Sequence, residues 1–216
     1  MSASSTSSLA ASASPSQAAA SPAGGITRLE IATKPGLTDA LATATAAQLA
    51  AVLGRTPVLR TRKLYHLDLA LDAARGEPAQ VLAALVDPVC EQGAVGALTD
   101  PAGALRLCVG LRPGVTDAVG RSVQRAAEDC LGRALEGQVY TSTLYLFEGL
   151  TAAELERVGR ELHNPLIQRV RLESSPPGPE GLEVPRAGTP LVPRVASVPL
   201  RAADDATLEQ ISRTGV

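Results

Sequence analysis

Aromatic residues are nearly missing from this chain: one Phe, three Tyr and no Trp in 216 positions. A core must therefore be assembled from Leu, Val, Ile and Ala, and the stacking rings of an RNA-recognition sheet are not there. An excess of positive charge is missing as well. Twenty Lys and Arg stand against 22 Asp and Glu, so no electrostatic term drives the chain onto a phosphate backbone and no nucleic-acid partner is expected. His66 and His163 are the only histidines and sit in no ligand motif. Cys90, Cys108 and Cys130 are odd in number, far apart and in no Cys-x-x-Cys pair, which argues against a disulfide framework or a zinc site. They read as small buried residues. No run approaches 18 apolar residues, and no Lys or Arg precedes Arg28. Neither a membrane span nor a secretory signal is expected, which leaves a cytoplasmic protein as the expectation.

What is present falls into unequal parts. Residues 1–25 are nearly all Ser, Ala, Gly and Pro, too poor in large apolar groups to offset the entropy of ordering, and read as a disordered tail. Residues 26–173 carry periodic apolar patterns. From 174 to 203 seven prolines interrupt the chain, predicting an extended linker, and 204–216 regains helical character with acidic residues first and an Arg late. A helix that begins so close to Val216 is expected to lead into a further body.

The middle repeats itself. Lys34-Pro35-Gly36-Leu37-Thr38-Asp39-Ala40 returns as Arg112-Pro113-Gly114-Val115-Thr116-Asp117-Ala118, and Leu53-Gly54-Arg55 returns as Leu131-Gly132-Arg133. Leu64-Tyr65 matches Leu144-Tyr145, and Asp87-Pro88 matches Asn164-Pro165. Two units, 26–97 and 98–173, are predicted, each reading strand, helix, strand, helix, strand. The predicted class is α+β, as tandem duplicated ferredoxin-like units forming an intramolecular pseudo-dimer with two sheets in contact.

Local signals support this order. Leu105, Leu107, Val109 and Leu111 alternate with polar or small residues as in a half-buried strand. Thr116 or Asp117 caps a helix whose stripe runs Val119, Val123, Ala127, Cys130 and Leu131, matched in the first unit by Leu41, Thr45, Leu49, Val52 and Leu53. This matching makes Cys130 a core residue. In the strand predicted from Val58 to Leu71, Leu59, Tyr65, Leu67, Leu69 and Leu71 share one face, and Arg60, Arg62, His66 and Asp68 share the polar one. Thr151-x-x-Glu154 is a capping box for the last helix of the second unit. Asp39 and Asp117 read as caps. Lys34 and Arg112 read either as exposed cations or as groups that meet an acidic partner or a phosphate. Tyr140, Thr141 and Ser142 are either donors at a domain interface or polar positions of an exposed strand face.

The ordered set KPGLTDA, RPGVTDAVGR, VYTSTLYLFEGL and LHNPLIQRVRLE resembles the small subunit of formylglycinamidine ribonucleotide (FGAM) synthetase. In duplicate it resembles the tandem amino-terminal region of the large synthetase chains. The segment LRAADDATLEQISRTG is similar to their passage into the catalytic body. The resemblance implies a noncatalytic adaptor of purine biosynthesis, with no catalytic, cofactor or metal residues in this chain. ATP and magnesium are implied only for the full synthetase, and the implied partners are the synthetase body and the glutaminase. The Gly-Arg pair usual for that family stands at Gly120-Arg121, whereas the first unit has Ala42 and Thr43. An alternative is a ferredoxin-like regulatory module that holds a small metabolite at the seam of its units.

Overall fold

A computed structural model describes residues 25–173 and 200–214. The predicted tail and most of the predicted proline linker lie outside the described residues. The chain divides into two compact units, Met1–Arg186 and Ala187–Val216.

In the first unit the elements run β1 (Thr27–Thr33), α1 (Ala40–Leu53), β2 (Val58–Leu69), α2 (Glu77–Leu85) and β3 (Glu91–Val95), followed by β4 (Leu105–Leu111), α3 (Ala118–Leu131), β5 (Gly137–Glu148), α4 (Ala152–Glu161) and β6 (Gln168–Glu173). The order of elements is the same in both halves, and the first three members match in length: 7, 14 and 12 residues in each. The strands form one antiparallel sheet ordered β3-β1-β2-β5-β4-β6. This corrects the expectation of two sheets in contact. The long central strands β2 and β5 pair along their whole length, from Val58 opposite Glu148 to Leu69 opposite Gly137, so backbone hydrogen bonds join the halves.

The two main apolar clusters cross the midline. Helix α1 places Ala42 and Leu49 over Leu107 and Val109 of β4 and Tyr145 and Phe147 of β5, where Leu155 and Val158 of α4 complete the cluster. Helix α3 places Val123 and Ala127 over Leu29 and Ile31 of β1 and Tyr65 and Leu67 of β2, beside Val81 of α2. Each half's first helix therefore covers strands of the other half. At about 25 cal/mol per Å² of apolar surface, either half alone would leave a large share of this burial unmade.

The expected stripes hold at their centres and fail at their ends. Leu41 and Val119 are about half exposed. Cys130 is exposed, as is Cys90; of the three thiols only Cys108 is buried. Cys130 turns its thiol to the Gln80 carbonyl of α2 and stays exposed, so equivalence with the half-buried Val52 does not make it a core residue.

The face without helices also departs from expectation. Alternation marks it as the polar side of β2, yet Arg28, Glu30, Arg62, His66, Asp68 and Arg106 are all buried. Curvature is one cause. Glu30 lies in register with Leu64, Ser142 and Gly110, four residues along β4 from Arg106. A flat sheet would hold the Cα atoms of Glu30 and Arg106 roughly 19 Å apart, more than the two side chains span together, from ~4.8 Å between strands and ~3.3 Å per residue. Their side chains meet at 2.8 Å. The sheet is therefore strongly coiled, in the sense of its natural twist, and its helix-free face is concave. The connection from β3 to β4, residues 96–104, crosses this face as a strap. Its Ala104 joins Leu64, Cys108, Leu144 and Leu146 in a small apolar floor.

In the second unit a helix, α5 (Asp205–Thr214), follows a short turn, and the Asp204 carboxylate accepts from the Thr207 N–H at its start. Among the described residues no helix is long and apolar enough to cross a membrane.

Candidate functional site: a midline groove and a buried ionic cluster

Lys34-Pro35-Gly36-Leu37 and Arg112-Pro113-Gly114-Val115 both close tight turns. Leu37 N–H donates to Lys34 O and Val115 N–H to Arg112 O, with Gly36 and Gly114 at φ 86° and 85°, the position where a type II turn requires glycine. The two cations lean on the turn that precedes the third strand of their own half. Lys34 donates through N–H to Cys90 O and through Nζ to Pro88 O. Arg112 donates through N–H to Ile167 O and through Nε to Gln168 O. Asn164, beside Pro165, accepts from the Leu166 N–H and shapes that turn. The paired motifs thus meet in space, and both cations hold backbone carbonyls.

Asp39 and Asp117 are helix caps with a second task. Asp39 Oδ1 accepts from the Ala42 N–H at 2.9 Å, while Oδ2 accepts from the Thr61 N–H of β2 at 2.8 Å and from the Thr61 hydroxyl. Asp117 Oδ1 accepts from the Gly120 N–H at 2.6 Å and from the Thr141 hydroxyl, and Oδ2 from the Thr141 N–H of β5 at 2.7 Å. Each carboxylate fastens a helix start to a central strand. Thr61 was not singled out by sequence reasoning; its signal was a threonine 22 residues beyond the first Asp, against 24 for the second pair.

Between the two helix starts lies a groove of about 800 Å³ on the helix side of the sheet. Its floor carries Lys63 and Thr143, which face each other in register, and its walls carry Leu37, Leu41 and Val119. Lys63 is held by Glu91 at 2.6 Å, a hydrogen bond that raises its already high pKa. Arg121 stands outside this groove, on the exposed side of α3 near Ser122 and Arg125. Tyr140 donates its hydroxyl to Gln138 Oε1, and Ser142 lies beside Cys108 under the concave face. Burial pushes the Cys108 thiol up, and a hydrogen bond with Asp87 does the same for Cys90, so neither is an activated nucleophile.

The densest chemistry lies on the concave face. Arg106 donates to Glu30 Oε1 at 2.8 Å, to both oxygens of Asp100 at 2.8 Å and to Glu173 Oε2. Arg28 bridges Glu30 and Glu173, Arg171 reaches Glu173, and Arg62 joins Glu30, Asp100 and the carbonyls of Leu98 and Thr99. Leu98 N–H donates to Glu30. Burial alone would raise the Glu30 carboxyl, but hydrogen bonds from Arg106 and Leu98 and the Arg28 charge outweigh it and hold it below the usual carboxylate range. Glu173 shows the same balance, with Arg28 the chief opponent of burial. Both glutamates stay ionised at neutral pH.

Neither a scan of protein-family models nor a search of curated proteins returns a match to this chain.

Proposed function

We propose that the chain is a noncatalytic adaptor equivalent to the tandem amino-terminal region of FGAM synthetase, built from two ferredoxin-like units acting as an internal pseudo-dimer. The observation that carries this reading is the repeated strand-helix-strand order of equal lengths, with each Pro-Gly-x-x-Asp motif capping a helix onto a central strand. A scaffold whose halves cover each other's strands suits contact with partners, and its polar motif residues are occupied in holding turns. The partners in this reading are the ATP-dependent synthetase body and the glutaminase. Adding the chain to both and measuring glutamine-dependent turnover tests it; no binding and no change in turnover would end the proposal. A second reading, a regulatory module for a small metabolite, is favoured by the midline groove. Calorimetry with purine nucleotides and amino acids separates the two, since only the second gives saturable heat.

A further inference from the structure

We propose that the strap 96–104 is a self-inhibiting lid: its Asp100 carboxylate occupies an arginine site, built by Arg62 and Arg106, that accepts an external oxyanion when the strap lifts. This inference does not depend on the adaptor reading.

The site is built from buried groups. Arg106 and Arg62 expose 0% and 5% of their side chains; both Asp100 oxygens accept from Arg106 Nη1, and Arg62 pairs with Oδ1 at 2.9 Å. Guanidinium N–H groups of two arginines converging on one oxyanion suit a carboxylate or a phosphate alike. Within the network, among the described residues, Arg28, Arg62, Arg106 and Arg171 face Glu30, Asp100 and Glu173. Lifting Asp100 away takes one carboxylate from Arg62 and Arg106 together, and an incoming anion can replace it.

The strap is made to come away. It contains no helix or strand, and positive-φ glycines stand at both ends, Gly96 at φ 92° and Gly103 at φ 71°. Its attachments are mostly polar: Leu98 N–H to Glu30, the Leu98 and Thr99 carbonyls to Arg62, and the Asp100 carboxylate. Ala104 is its one fully buried apolar residue. A segment with so little apolar burial belongs to the low-stability end of a fold, and its charges regain hydration when it opens. Beneath it lie Leu64, Leu144, Leu146 and the thiol of Cys108.

Cys108 reports the opening. Thiol labelling of the intact chain, read peptide by peptide so that exposed Cys90 and Cys130 serve as internal controls, is measured against inorganic phosphate at fixed ionic strength. Cys108 labelling is expected to accelerate saturably, severalfold, while the controls stay constant; a rate indifferent to phosphate overturns the proposal. In the full-length Asp100→Asn chain, Cys108 labelling is expected to rise at least tenfold without phosphate. It should depend on urea far less steeply than global unfolding. Labelling that follows global unfolding overturns the lid. An acidic peptide in place of phosphate then tells whether a protein carboxylate or a free phosphate is the preferred anion.

Discussion

Glu30 and Arg106 stand 76 residues apart, in opposite halves of the chain, and meet at 2.8 Å across the two strands that separate theirs in the sheet. This contact ties the concave face together, and it is made only if both halves adopt their full curvature. Charge removed from water must be repaid by good geometry, and here Glu30 accepts from Arg28, Arg62, Arg106 and the Leu98 N–H.

Glu30→Ala should therefore be among the most damaging single changes. It removes the acid that three buried arginines share and leaves only Asp100 and Glu173 to hold them, at an expected cost of about 3–5 kcal/mol. Urea unfolding followed by circular dichroism measures it. Glu148→Ala, which removes the exposed partner of Arg60 at 3.9 Å, should cost less than about 1 kcal/mol and serves as the control. Equal losses in the two variants would contradict the account.

The same cluster sets the acid limit of stability. Glu30 and Glu173 have folded pKa values below their unfolded ones, so in the acid range the unfolded chain binds more protons and stability rises with pH. Their contribution is fully present above the unfolded value of about 4.3 and is lost as pH falls through the depressed folded values. Stability measured from pH 7 down to pH 2 should stay level at first and then fall. Glu30→Gln should show a shallower acid limb than the wild type; an identical slope would remove Glu30 from that role.

How legible this was in the sequence differs between the two faces of the sheet. The turns, the Asp39 and Asp117 caps, the Thr151 capping box and the repeated element order follow from local chemistry, and local chemistry is what spacing reports. The joining of two sheets into one depends on the β2–β5 pairing, a contact between segments roughly 80 residues apart for which no local pattern speaks. The burial of the concave face is illegible in the sequence for a related reason. Period-two alternation separates apolar from polar sides but says nothing of curvature, so Arg62 and His66 looked solvated when the coil of the sheet and the strap bury them. Cys130 shows the converse: its spacing puts it on the apolar stripe, yet the next residue, Leu131, packs against the core while Cys130 stays exposed.

The doubled role of the caps predicts an effect larger than ordinary capping. Asp117→Ala removes the acceptor for the Gly120 and Thr141 N–H groups together, and the expected loss is about 2–3 kcal/mol, above the ~1 kcal/mol typical of a cap. Asp39→Ala should behave alike through Ala42 and Thr61. The measurement is thermal or urea unfolding, with amide exchange at Thr61 and Thr141 showing whether the strand contact itself has loosened. A loss confined to the helix amides would restrict each Asp to plain capping.

Gly120 offers a test in which helix propensity and packing pull in opposite directions. In the interior of a helix, Gly→Ala normally stabilises by roughly 0.5–1 kcal/mol. At Gly120 a β-carbon would press into the carbonyl oxygen of Val139, a backbone atom of the paired strand β5 that cannot rotate away. Overpacking of this kind costs about 1–3 kcal/mol, so packing is expected to win. The corresponding residue of the first half is Ala42, which is accommodated while 6% exposed, so α1 has room at this point that α3 lacks. Gly120→Ala should lower the melting temperature by a few degrees, at roughly 2–4 °C per kcal/mol for a chain of this size. Ala42→Gly should also lower it, but through propensity alone and without disturbing amide exchange in β2. A rise in melting temperature for Gly120→Ala would show that α3 can move off β5, so that α3 has the room at this point that α1 has.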